Sequence, residues 1–234
     1  MLGVIIGVAS VIVITSMGSS STKEIENTFG TAGLDVVSIS SGFMRRRRDA
    51  VTLQFDESFR ENMFENISDI KKIWYKNSLS TTLTYGETSS TTTCTAIETG
   101  YLEMYNMTLE SGTFFTVTDN QAGAQKIILS HDTAEALFPA GDAVGKQLML
   151  VASDVTFGFK VIGVLAEQTS GMESGSAYIP RGFYSKKIQP NPEAGTVIVQ
   201  ATSAQKAVEL VDILEDYCEE LSGTEYSVNV TSMQ

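Results

Sequence analysis

Hydrophobic positions along this chain fall into three patterns. Residues 1–14, MLGVIIGVASVIVI, are apolar throughout, with Ser10 as the single hydroxyl, and the polar stretch MGSSSTKEIENTFG follows almost at once. A helix that crosses a bilayer needs ~20 apolar residues to cover ~30 Å of hydrocarbon, and this run is shorter. It reads as the outer part of a truncated transmembrane helix, with a stalk over Met17 to Phe29 leading away from the membrane surface. Two other readings stand beside it. A signal peptide wants a basic n-region and a small-residue cleavage site, whereas the first Lys or Arg here is Lys23. A buried core helix is the other. The spacing Gly3-x-x-x-Gly7 favours a membrane helix packed closely on a neighbour, because small residues let two backbones approach.

The second pattern is helical. Ile25 and Phe29 share a face until Gly30 and Gly33 stop the helix. From Asp56, the spacing Phe59, Met63, Ile67, Ile70, Trp74 predicts one apolar stripe on a continuous helix. Asp132-x-x-Glu135 predicts a capping box opening a short helix to Phe138, which Pro139 ends. Ala207, Leu210, Val211, Leu214, Cys218 and Leu221 give the cleanest amphipathic helix in the chain.

The third pattern belongs to strands. Leu34 to Ser40 is rich in β-branched residues, and Thr81 to Ala96 has strand composition around a TYGET turn. Further strands are predicted at Lys126 to Ser130, Gln147 to Val151, Val155 to Ala166, Ser176 to Pro180, Gly195 to Ala201 and Tyr226 to Val230. Pro190 to Gly195 has loop composition and marks a boundary. The fold class expected is α+β. A split α/β part near both ends of the chain would share one sheet, with a β-rich insertion between them and both chain ends on the same side.

Composition narrows the function. The chain has 234 residues, 42% apolar and 19% charged, which is globular, and its net charge of −12 with pI about 4.5 repels phosphate backbones. Nucleic acid is therefore excluded as a partner. Arg45, Arg46, Arg47 and Arg48 form a basic run in this acidic chain, either a solvated loop or a contact with lipid headgroups or an acidic partner. Cys94 and Cys218 lie far apart; as buried free thiols they need no partner, and as a pair they would need an oxidising compartment. His131 beside Asp132 admits a Ser/His/Asp arrangement in principle, but no Gly-x-Ser-x-Gly elbow accompanies it. A helix-start residue is the simpler reading of His131. No phosphate-binding loop occurs, zinc ligands are too few, and the acidic run at Glu215, Asp216, Glu219 and Glu220 lacks calcium-loop spacing. The chain is expected to be no enzyme, with no cofactor and no metal. Asn66, Asn106 and Asn229 head glycosylation sequons of the kind a Ser/Thr-rich chain carries by chance.

Three segments carry a resemblance to a known family. LGVIIGVASVIVITSMG runs through a polar helix into LDVVSIS. LESGTFFTVTD precedes KIILSHDTAEALFPAGDAVGKQLML. FKVIGVLAE is followed by SAYIP. In order and spacing these resemble the extracytoplasmic core domain of MacB-type ABC transporter permeases, the FtsX-like group. The arginine run and the Thr/Ser-rich strands depart from that pattern.

The resemblance implies a membrane-helix end and stalk over residues 1–31 and a porter-like part over 32–79. A sabre-like β-rich insertion would span 80–190, and a second porter-like part 191–234. It also implies a cytoplasmic ABC ATPase, a second permease subunit, a membrane-fusion-type accessory protein and contact with membrane lipid. The function implied is coupling of ATP hydrolysis to export or extraction of an antimicrobial compound, peptide or lipoprotein across a bacterial cell membrane. The alternative is a non-transporting sensor or scaffold domain that recruits a cell-envelope partner. An extracellular hydrolase built on His131 is the third reading.

Overall fold

A computed structural model describes residues 33–42, 53–167, 175–223 and 227–232. Gly3, Gly7, the stalk and Arg45 to Arg48 lie outside the described residues.

One mixed sheet of ten strands organises the domain. In chain order they are β1 (Val36–Ser41), β2 (Ile70–Tyr85), β3 (Thr88–Ile97), β4 (Leu109–Gly112), β5 (Lys126–Leu129), β6 (Gln147–Ala152), β7 (Val155–Leu165), β8 (Ala177–Pro180), β9 (Thr196–Ala201) and β10 (Val228–Ser232). Their order across the sheet is β10-β1-β9-β2-β3-β8-β5-β7-β4, with β6 bridging β2 and β7. The helices are α1 (Glu57–Asn66), α2 (Tyr101–Met104), α3 (Val117–Ala122), α4 (His131–Leu137), α5 (Arg181–Phe183), which runs into a π-turn at Tyr184–Ile188, and α6 (Ala204–Ser222). Among the described residues no helix is long and apolar enough to cross a membrane.

The β10-β1-β9-β2 end is antiparallel, and its inner strands β9 and β2 are buried on both faces around Val197–Val199 and Ile73–Tyr75, while Asn229 and Thr231 of β10 are exposed. Val37, Ile39, Ile73, Tyr75, Val197 and Val199 point to one face, where Phe59 and Met63 of α1 and Leu210 and Leu214 of α6 complete a core. Val36, Trp74 and Ile198 point to the other, against Tyr101, Leu102 and Tyr105 at α2 and Tyr178 of β8. Alternate residues thus feed two cores, which is why TVIVQA shows no polar alternation. A third core, with Leu83, Ile127, Leu150 and Phe159, fills the β-rich half.

Strand β2 belongs to both halves. Its first part pairs with β9 from Ile70 to Lys76, and its second part pairs with β3 from Asn77 to Tyr85. Tyr85 pairs with Thr88, so Gly86 and Glu87 make a two-residue hairpin loop. Gly86 has φ +59°, the left-handed first position that such loops favour.

Three local expectations change. The helix from Asp56 stops at Asn66, and Ile70 and Trp74 sit on β2 instead of extending the helical stripe. Asp69, at φ +67°, marks the break between the two elements. The cap of α4 is Ser130, whose side chain accepts from the Thr133 N–H, so Asp132 lies inside the first turn. On α6 the last inward residue is Ser222, while Leu221 is 46% exposed. Cys94 and Cys218 are buried free thiols in different cores.

Candidate functional site

The chain crosses between its two halves along β2, and it crosses back over residues 190–195. A group of charged side chains fastens these crossings together. Its geometry follows from strand register. The parallel pairing of β3 and β8 sets Ile97 beside Pro180, so the next residues, Glu98 and Arg181, emerge side by side. Arg181 is 8% exposed, with an Nη1 atom 3.6 Å from Glu98 and 3.8 Å from Glu57. Its Nε donates to Asn77 Oδ1 (3.1 Å) and its Nη2 to the Pro192 carbonyl (2.9 Å). Asn77 in turn donates to the Glu193 carbonyl at 2.7 Å, and Gly195 N–H donates to the Lys76 carbonyl at 3.0 Å. Arg181 and Asn77 therefore hold the returning segment against β2.

Glu98 completes the group. Its Oε1 accepts from Arg60 Nη2 at 2.7 Å and its Oε2 from the Tyr75 N–H at 3.0 Å. Arg60 lies on α1 with its guanidinium 3.9 Å from the Tyr75 ring centroid, and Arg181 approaches the same ring at 5.1 Å. The Tyr75 hydroxyl donates to the Asp56 carbonyl, and Asp56 caps α1 by accepting from Phe59 N–H at 2.9 Å. Burial pulls both guanidinium groups down. At Arg60 burial is the largest single influence, but the Glu98 hydrogen bond and the charges of Glu98 and Glu57 together exceed it and the net direction is up; at Arg181 burial prevails and the direction is down. Both remain cationic, because arginine keeps its proton in proteins. Burial also drives the Tyr75 hydroxyl well above its ordinary value, so it serves as a neutral donor.

Among the residues singled out in the sequence, His131 lies at the first position of α4. Its Nδ1 is 2.8 Å from Glu110 Oε2 on β4, so it meets Glu110 and not Asp132. The hydrogen bond to Glu110 holds the imidazole above its ordinary 6.5. The hydroxyl of the adjacent Ser130 is engaged with Thr133. Among the described residues no group of three or more His, Cys, Asp or Glu side chains could hold a metal ion. Sequence reasoning missed Glu98, Arg181, Asn77 and Arg60. One signal was present: Arg181 interrupts the apolar run AYIPRGF, where a charge has to be paired if it is buried.

A mixed sheet with helices packed on both faces of its antiparallel end, fastened by a partly buried ion group, is an α+β domain of a known architecture. It is similar to the periplasmic region of MacB from Actinobacillus actinomycetemcomitans, with TM-score 0.67 and 21% identity, covering 89% of this chain and 94% of that one. It is also similar to the extracellular domain of the ABC-type transporter YknZ from Gram-positive bacteria, with TM-score 0.64 and 21% identity, covering 84% and 100%. The chain belongs to the family of MacB-like periplasmic core domains, whose model matches residues 1–217. Among relatives, the macrolide export ATP-binding/permease protein MacB of Neisseria gonorrhoeae is 29% identical over 168 residues, 70% of this chain and 25% of that protein. The pyoverdine export ATP-binding/permease protein PvdT of Pseudomonas aeruginosa is 25% identical over 212 residues, 88% and 31%. The chain spans about a quarter to a third of the length of these relatives.

Proposed function

We propose that this chain is the extracytoplasmic part of a bacterial ABC export permease, and that it moves as one body when nucleotide turns over in the cytoplasm. One observation carries the reading. Strand β1 pairs antiparallel with β10 so that Val37 lies opposite Ser232. The described chain therefore enters and leaves the sheet side by side, and displacement of either connection acts on the same strand pair. Strand β1 passes the load to β9 and β9 to β2. Strand β2 then runs without interruption into the β-rich half.

On this reading residues 32–79 and 191–234 form a split porter-like part, and 80–190 a sabre-like insertion. The group of Arg60, Glu98, Arg181 and Asn77 keeps the insertion from lagging behind. The stalk over Met17 to Phe29 would deliver the motion, and Gly3 and Gly7 would pack the membrane helix against a neighbour. Arg45 to Arg48 would meet lipid headgroups or an acidic partner surface. An ABC ATPase, a second copy of the permease and an accessory protein complete the machine; the domain itself performs no covalent step. Export names on the relatives support cargo expulsion over a passive scaffold.

The test is uncoupling. Two glycines inserted near Ile25 in the full-length permease abolish export while ATP binding persists. Unchanged export in that variant overturns the proposal.

A further inference from the structure

Away from the junction, two clefts flank the loop Phe138 to Asp142. The first has a volume of about 430 Å³ and the second about 600 Å³, and they share Phe138, Pro139, Gly141 and Asp142 as a common wall. Both fall in the range of small-ligand sites, ~300–1,000 Å³. The first has an apolar floor made by Ala134, Phe138, Ala143 and Val164, all buried. Phe138 is held in place by the Tyr85 ring, with centroids 4.3 Å apart.

The rims are acidic. Glu110, Glu135 and Asp142 surround the first cleft, and Glu87 at the β2–β3 hairpin edges the second. Only His131 and Lys146 oppose them. His131 is bound to Glu110, and Lys146 lies 3.6 Å from Asp142, which is 80% exposed. Glu135 acts on His131 only through space, because the His131 Nδ1 is taken by Glu110. An apolar floor with carboxylates spaced along both clefts complements an extended ligand that alternates basic and apolar side chains.

We propose that the paired clefts bind a short peptide bearing basic side chains beside apolar ones, the apolar groups entering over Phe138 and the cations meeting Glu110, Glu135 and Glu87. This goes beyond the export reading and stands on the clefts alone. Binding at this site is independent of the stalk, so its failure leaves the uncoupling result untouched, and the reverse holds too.

The chain contains one histidine, so a single imidazole proton resonance reports on the first cleft. The 234-residue chain is titrated with the acetylated, amidated peptide Lys-Trp-Lys-Leu, with Glu-Trp-Glu-Leu, Lys-Gly-Lys-Gly and spermidine as controls. The first peptide shifts the His131 resonance saturably, and each control binds at least tenfold more weakly. The double variant Glu110→Gln/Glu135→Gln weakens the first peptide about tenfold; because Glu110→Gln alters the imidazole directly and the protein has its own Trp74, that comparison is read by titration calorimetry. Equal shifts from spermidine would replace the peptide by a small polyamine and overturn the proposal. Equal binding of the acidic peptide, of the glycine peptide, or undiminished binding to the double variant overturns it as well.

Discussion

Replacing Glu98 by Gln removes one charge from the junction without changing its shape. Two guanidinium groups then flank Tyr75 with Glu57 as their remaining carboxylate. Glu57 is a poor substitute: its side chain is 65% exposed, 3.3 Å from Arg60 Nε with no hydrogen bond made, and 3.8 Å from Arg181. Removing one partner of a fully buried ion pair costs ~3–5 kcal/mol. Here the side chains of Glu98, Arg60 and Arg181 are 16%, 24% and 10% exposed, so water screens part of the loss. About 3 kcal/mol is the working value. For a domain of this size ~1 kcal/mol moves the melting temperature by ~2–4 °C, so Glu98→Gln should melt ~6–12 °C below wild type. Glu57→Gln should stay within about 0.5 kcal/mol, since exposed pairs contribute little. Calorimetry on both variants decides it. Equal melting of Glu98→Gln and wild type would show that the ion group adds nothing to the junction.

Three further outcomes follow from single positions. Gly182→Ala destabilises by about 1–3 kcal/mol, the usual cost of overpacking, because an added Cβ would overlap the Asn120 carbonyl oxygen; urea unfolding with an unchanged midpoint would contradict this. The folded-state pKa of His131 is raised, so its pair with Glu110 adds stability below the unfolded value near 6.5 and loses it as pH rises through the folded value. An imidazole titration followed by magnetic resonance should move back toward 6.5 in Glu110→Gln, and no movement would reject the pairing. Burial pushes the Cys218 thiol up to about 12 and the Cys94 thiol higher, so neither reacts with iodoacetamide in the native protein. Rapid labelling before unfolding would refute that.

The Thr81 to Ala96 hairpin was legible from its β-type composition on either side of the TYGET turn. Its Thr82, Thr91 and Thr93 lie on the wetter side, while Leu83 and Cys94 are buried. Strand β2 before Asn77 was not legible. Ile73, Trp74 and Tyr75 are consecutive and all buried, since the sheet is covered on both faces there, and the residual Ile70–Trp74 spacing imitates a helix. The cap of α4 was misread because Ser130 and Asp132 are both competent caps, and the geometry that chooses between them lies in the preceding strand. The junction was hidden for a different reason. Arg60 and Glu98 are 38 residues apart and Asn77 and Arg181 are 104 apart; the β2–β3 and β3–β8 registers bring Asn77, Glu98 and Arg181 together, and Arg60 reaches them from α1. His131 at a helix start, by contrast, was readable from the strand, helix and Pro139 around it.

Motion of the whole domain with nucleotide is the claim on which the rest depends. Spin labels at the exposed positions Glu61 on α1 and Glu87 at the hairpin, placed in the full-length permease in membranes, measure it. The account predicts that the distance between Glu61 labels on two copies changes when ATP binds, while the distance from Glu61 to Glu87 within one copy stays fixed. A change within one copy, or no change between copies, would contradict it.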